Sequence, residues 1–150
     1  MSQRPSQRES AIGALFAVLG QLSLGTSGTT VKRNAALPER VSDHAMAILR
    51  DGEMGEPEVS LSPLTYHWQH QVAIELFVAD PDAAARDSRM DGLLTELATL
   101  IEADRTLAGV VEYAEIGQPK FDELAPEGTS GIKACLLPVV LHYGSSGPLN

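Results

Sequence analysis

Apolar and polar positions alternate most clearly just before the middle of the chain. Val72, Ile74, Leu76 and Val78 fall on one side of an extended segment, and Gln71, Ala73, Glu75 and Phe77 on the other. A two-residue period predicts a strand with one well-covered face. The apolar side continues back through His70 to Trp68. Asp80 is positioned to supply an N-cap oxygen, with Pro81 at the first helical position, where its missing N–H costs nothing. Met90, Leu93, Leu94, Leu97, Leu100 and Ile101 then recur at three- and four-residue spacing, which predicts a long amphipathic helix ending near Ala103-Asp104.

A second helical stripe opens the chain. Ile12, Leu15, Phe16, Leu19 and Leu22 lie on one side, behind Ser6-Gln7-Arg8-Glu9, which has the spacing of a reciprocal capping box. Gly25 and Gly28 end it. The apolar part of this stretch is broken by Gly13, Gln21 and Ser23 and preceded by Glu9, so it reads as a helix and not as an export signal. Residues 29–34 predict a short first strand. Residues 44–50 predict a second, ended by the turn pair Asp51-Gly52. A loop follows from Glu53 through Pro63, longer than compact domains usually carry. Residues 110–116 predict a fourth strand, 117–131 a second long loop with Asp122, Glu123 and Glu127, and 132–143 a fifth strand. Pro138 inside that last strand cannot donate to a ladder, so the strand is expected to be an edge there or to carry a bulge.

The expected fold is therefore one α+β domain over residues 1–150, with flexible ends at 1–5 and 144–150. Its order is α-β-β-β-α-β-β. Two helices cover one face of a mostly antiparallel sheet of about five strands. The opposite face has no helix to cover it. Phe77, and either Leu136 or Leu137, must point there, which predicts burial against another subunit.

Composition narrows the chemistry. A net charge of −9 argues against direct binding to nucleic acid, whose phosphates would be repelled. No stretch is long and apolar enough to suggest a membrane span. One cysteine, Cys135, excludes an internal disulfide or a multi-cysteine zinc site, and a cytosolic location is the default. Cys135 sits in an apolar run, where a thiol is inert. His67 and His70 are three residues apart on a strand and so point to opposite faces, which does not suit a shared metal ion. His67 reads as solvated, and His70 as closing the end of the apolar face. Gly25-Thr26-Ser27-Gly28 lacks the lysine and the following helix of a phosphate loop. Asp51, Glu53 and Glu56 form an acidic run that reads as solvated. No catalytic, cofactor or metal residue is assigned, and the expectation is a protein that is not an enzyme.

Several short segments resemble one family. They are Val31-Lys32-Arg33-Asn34 after the opening helix, the strand end Arg50-Asp51-Gly52-Glu53, the long strand 70–78 feeding a helix, and the closing Leu141-His142-Tyr143-Gly144. Ala103-Asp104-Arg105-Thr106-Leu107-Ala108-Gly109 is similar to the family's junction of aspartate, any residue, threonine, leucine, any residue, glycine. Together they resemble the tail terminator proteins of long-tailed bacteriophages and prophages, the small tail-completion or minor tail protein U-like group, over roughly residues 10–144. The junction also has a plain physical reading: Asp104 ends the helix, Leu107 tucks under the sheet, and Gly109 frees the backbone to turn.

The resemblance implies a mixed α/β subunit of a homo-oligomeric ring, usually a hexamer. The ring caps the head-proximal end of the tail tube, stops its polymerisation and presents a surface to the neck. Partners would be the chain itself, the tail-tube protein and a neck or head-completion protein. The location would be host cytoplasm during virion assembly, then the tail. No catalytic residue or cofactor transfers. Candidate contact residues are Glu53, Met54, Glu56, Leu64, Phe77, Asp122, Glu123 and Glu127. Two other readings compete. One is a small cytosolic transferase or hydrolase working from the acidic loops, which requires a deep pocket with perturbed titrating groups. The other is a monomeric module that binds partners through an open strand edge.

Overall fold

A computed structural model describes residues 4–24, 28–37, 45–121 and 131–150. The opening stripe forms helix α1 (Gln7–Leu19), whose last apolar residues continue into a 3-10 turn over Gly20–Leu24. Ser6 caps α1 by accepting the N–H of Glu9. The capping box is not reciprocal, because the Glu9 carboxylate is drawn to Arg33 instead. Strand β1 (Thr30–Arg33) follows, then β2 (Ala45–Glu53), β3 (Glu58–Ser60), β4 (Thr65–Ala79), helix α2 (Ala83–Ala103), β5 (Tyr113–Ile116), β6 (Lys120–Phe121) and β7 (Ile132–Ser145).

Among the described residues, seven strands make one sheet, ordered β1-β2-β4-β7-β5, with β3 on β4 and β6 on β7. The fold is α+β, as the sequence predicts. The sheet is mixed, not wholly antiparallel, because β1 runs parallel to β2. The extra strands lie where long loops were expected. Residues 53–64 hold β3, which forms a hairpin with β4 by pairing Glu58 with His67 and Ser60 with Thr65. Residues 117–131 hold β6, and residues 122–130 lie outside the described residues.

β4 and β7 are the spine, paired from Tyr66–Ser145 to Ala79–Ile132. The predicted alternation in β4 holds: Trp68, Val72, Ile74, Leu76 and Val78 join the main core under both helices. α1 contributes Ile12, Leu15 and Leu19 to that core. α2 contributes Met90, Leu93, Leu97 and Ile101, the predicted stripe. Cys135, Leu137, Val139, Leu141 and Tyr143 supply the helix-facing side of β7.

Several local expectations are corrected. Asp51-Gly52 does not end β2. The ladder pairs Arg50 with Ala73 and then Glu53 with Gln71, so two residues stand opposite one. This is a β-bulge, and Gly52 supplies its positive φ of 65°. The N-cap of α2 is Asp82, whose side chain accepts from Ala85; Asp80 instead accepts the N–H of Asp82 across Pro81. β5 starts at Tyr113, because residues 104–112 form turns. β7 runs on through Ser145, two residues past its expected end at 143.

Pro138 lies in an interior strand and not on an edge. Its carbonyl accepts from Gly117 at 2.8 Å, on the side where β5 has ended and β6 has not begun. A strand residue directs its N–H and C=O to the same side. The missing N–H therefore faces the gap between the two short strands, where no ladder bond is lost.

The face opposite the helices is not bare. Met46, Ile48, Phe77 and Ala134 form a second buried cluster, with Ala35 and Ile132 packed against it. Phe77 is fully buried there, so it is a core residue within the single subunit. Leu136, half-buried, is the leucine that shares this face.

Candidate functional site

Beyond this second cluster the same face becomes polar. Glu75 and Arg50 mark the boundary, with Arg50 Nη2 2.9 Å from Glu75 Oε1. Farther along, Glu58, His67, Gln69, Gln71 and His142 share a groove of about 710 Å³ with Met54, Glu56 and Glu112. Ser60 Oγ lies 2.9 Å from His67 Nε2. His142 stacks on Tyr113, with centroids 4.1 Å apart, and its Nε2 lies 3.1 Å from Glu115. Each histidine is thus held by a different neighbour. Among the described residues, no group of three or more His, Cys, Asp or Glu is arranged to hold a metal ion.

The β3–β4 hairpin forms one rim of this groove and ends in an apolar tip. Val59 is 52% exposed, Leu61 78% and Leu64 47%. On the helix-side face of the hairpin, Val59 pairs with Tyr66, which stacks on Trp68 at 6.3 Å. The core stripe therefore continues past Trp68 onto a surface that water reaches. Ordinary exposed leucines are scattered singly, whereas these three share one two-stranded tip.

The other buried polar cluster lies on the helix side of the sheet, at the β2 bulge. His70 is buried, with Nε2 2.6 Å from the Asp51 carbonyl and Nδ1 2.8 Å from the Tyr143 hydroxyl. Burial holds the His70 imidazole below its ordinary value and pushes Tyr143 up to about 12. The Asp51 carboxylate turns the other way, onto Arg33. Asp51 is therefore an ion-pair partner and is not a member of an acidic trio with Glu53 and Glu56. Cys135 is buried, and desolvation raises its thiol, as expected of an inert side chain.

Of the residues singled out for a ring contact, Met54 and Glu56 line the groove, Glu53 stands at its head opposite Gln71, and Leu64 closes the hairpin. Phe77 is remote from them and buried, while Asp122, Glu123 and Glu127 lie outside the described residues. Val59 and Leu61, the most exposed apolar residues of the hairpin, were missed. They lie in a segment whose composition reads as a loop, although Glu-Val-Ser before Leu-Ser-Pro-Leu is a three-residue strand ahead of a four-residue turn. The pairing of His70 with Tyr143, 73 residues apart, had no local signal.

No protein-family model matches the chain, and no curated protein is significantly similar to it.

Proposed function

We infer that the chain is a non-catalytic assembly subunit of the phage tail-terminator kind. It acts as a closed homo-oligomeric ring that caps the head-proximal end of a tail tube and presents a surface to the neck. The observation that carries this reading is the β3–β4 hairpin, whose Val59, Leu61 and Leu64 are offered to solvent at a tip. Apolar side chains at a protruding tip suit insertion into a neighbouring copy. A head-to-tail contact of this kind closes into a ring when its rotation closes.

The segments that suggested the family fall on distinct structural features. Val31-Lys32-Arg33-Asn34 is the edge strand β1 and its exit, Arg50-Asp51-Gly52-Glu53 is the bulge, and Ala103–Gly109 is the turn leaving α2. The net charge of −9 suits docking against basic protein partners.

The test has two readouts. Sedimentation of the purified chain, alone and with its cognate tube subunits, measures ring formation; a stable ring requires contacts burying more than about 1,000 Å² in total. Electron microscopy of tubes polymerising from a baseplate measures capping. Tubes of defined length ending in a ring are expected. Unaltered tubes with no added density would overturn the reading.

A further inference from the structure

We propose that His70 is a proton-sensitive latch on the β2 bulge: the buried neutral side chain ties the Asp51 carbonyl to β7, and uptake of a proton favours withdrawal of the ring into solvent, which frees the bulge and the segment leading to the β3–β4 hairpin. The geometry assigns the ring its tautomer. A carbonyl only accepts, so Nε2, 2.6 Å from the Asp51 oxygen, carries the hydrogen. Nδ1 is then bare and accepts from the Tyr143 hydroxyl at 2.8 Å. Both ring nitrogens and the hydroxyl hydrogen are satisfied in this one arrangement.

A second proton on Nδ1 keeps the Nε2–H bond to the Asp51 carbonyl, which favours the charged ring. It also takes the acceptor from the Tyr143 hydroxyl and leaves a buried charge. That is the larger effect, so the charged ring gains by leaving the site. Nδ1–H would face Tyr143 Oη, and the hydroxyl would have to turn its own hydrogen away. Tyr143 is buried, and its hydroxyl makes no other hydrogen bond among the described residues. A buried donor without an acceptor is costly. Charged and titrating groups on the surrounding elements do not offset this. On β2 the Asp51 carboxylate attracts a charged ring but is committed to Arg33 of β1, which also holds Glu9 of α1. From α1, Arg8 opposes a positive charge on His70. On β7 Tyr143 stays neutral, since burial raises its hydroxyl.

The held carbonyl sits where β2 leaves its ladder. Pairing skips from Arg50 to Glu53, and Gly52 is pressed so close to Gln71 that an added Cβ would lie 1.8 Å from its carbonyl oxygen. His70 is the side chain bound to the bulge carbonyl, and residues 54–57 then lead directly to β3. Loosening the bulge therefore changes how the hairpin is presented. The latch stands whatever the hairpin docks against.

The sign is fixed by burial. The folded-state value of His70 is lowered, so its contribution is complete above the unfolded value near 6.5 and is lost as pH falls from there through the lowered folded value. Hydrogen exchange of residues 51–57 tests this on the intact chain at pH 7.5 and 5.5, after correction for intrinsic exchange. The opening equilibrium is expected to rise up to about tenfold per pH unit below 6.5, the slope for uptake of one proton. His70→Gln, which can donate to Asp51 and accept from Tyr143 without titrating, is expected to abolish that pH response. If this variant does not fold, nitrogen-15 spectra of the native imidazoles decide. The Nε2–H tautomer with an acid-shifted titration is expected for His70. A titration near that of a free imidazole, or the same pH response in native and variant, would overturn the latch.

Discussion

Arg33 on β1 grips Asp51 on β2 with two hydrogen bonds, Nε to Oδ1 at 2.8 Å and Nη2 to Oδ2 at 3.1 Å. The same guanidinium reaches Glu9 on α1, with Nη1 2.6 Å and Nη2 2.9 Å from its carboxylate. One cation thus fastens the first helix to the edge strand and to the bulge.

This arrangement predicts an acid dependence separate from that of His70. The Arg33 guanidinium beside them holds both Glu9 and Asp51 below their ordinary values of 4.5 and 3.8. Their contribution is present above those values and is lost as pH falls through the lowered ones. Arg33→Met is expected to cost about 1 kcal/mol at pH 7, a modest amount because both carboxylates keep part of their surface in water. The variant's deficit should be smaller at about pH 3 than at pH 7, because the carboxylates begin to protonate on the way down. Urea melts of both proteins at the two pH values measure it, and a deficit equal at both would sink the claim.

A second prediction concerns the exit of α2. Leu107, Ala108 and Gly109 have φ of 48°, 60° and 84°, three successive left-handed residues. The Asp104 carboxylate stabilises this run by accepting the Ala108 N–H at 3.0 and 3.1 Å, while Leu107 is buried beneath it. Asp104→Ala is expected to destabilise by about 1–2 kcal/mol, the range for losing a capping carboxylate. Ala108→Gly removes a Cβ from an unfavourable conformation and is expected to stabilise by up to about 1 kcal/mol. Denaturant midpoints read both, and an Ala108→Gly variant less stable than the parent would show that this turn is not strained.

Gly52 and Gly55 make an internal control. Both have positive φ, 65° and 71°, but an added Cβ at Gly52 would strike the Gln71 backbone whereas Gly55 is open. Asparagine tolerates this conformation better than most residues, so Gly55→Asn is expected to cost less than about 1 kcal/mol. Gly52→Asn should cost about 2–4 kcal/mol, because no rotamer removes a Cβ clash with backbone. Similar thermal midpoints for the two variants would refute the bulge geometry.

These cases also mark where sequence patterns stop. Stripes of side chains along one element were legible: Ile12 to Leu22, Val72 to Val78 and Met90 to Ile101 all face the core. Asp51-Gly52 was read as a turn because that pair needs the same positive φ in a turn and in a bulge; only the partner strand distinguishes them. Asp80 and Asp82 flank Pro81 and both accept backbone N–H groups, so composition could not say which starts the helix. Pro138 is tolerated by a gap that β5 and β6 create from distant sequence. Burial of Phe77 on the face away from the helices is equally non-local. For the candidate site, Met54 and Glu56 line the groove and Leu64 lies in the hairpin turn beside it. Val59 and Leu61 of the same tip carry no local signal, because Val59 becomes notable only once it is paired with Tyr66.

The hairpin tip yields the prediction closest to function. Leu61 and Leu64 are exposed in the free subunit, so replacing them removes little buried surface. Leu61→Ser with Leu64→Ser is expected to leave unfolding free energy within about 0.5 kcal/mol of the parent. If the tip inserts into a neighbouring copy, each leucine buried there contributes about 1.5–3 kcal/mol, so the double variant should weaken each contact by tenfold or more. Leu97→Ala supplies the opposite case: Leu97 is fully buried under the sheet, and its truncation should cost about 2–5 kcal/mol of stability while leaving the tip intact. Sedimentation and urea denaturation on the three proteins separate the two roles. A stably folded double variant that still assembles like the parent would remove the hairpin from the interface, and assembly would then have to use another surface.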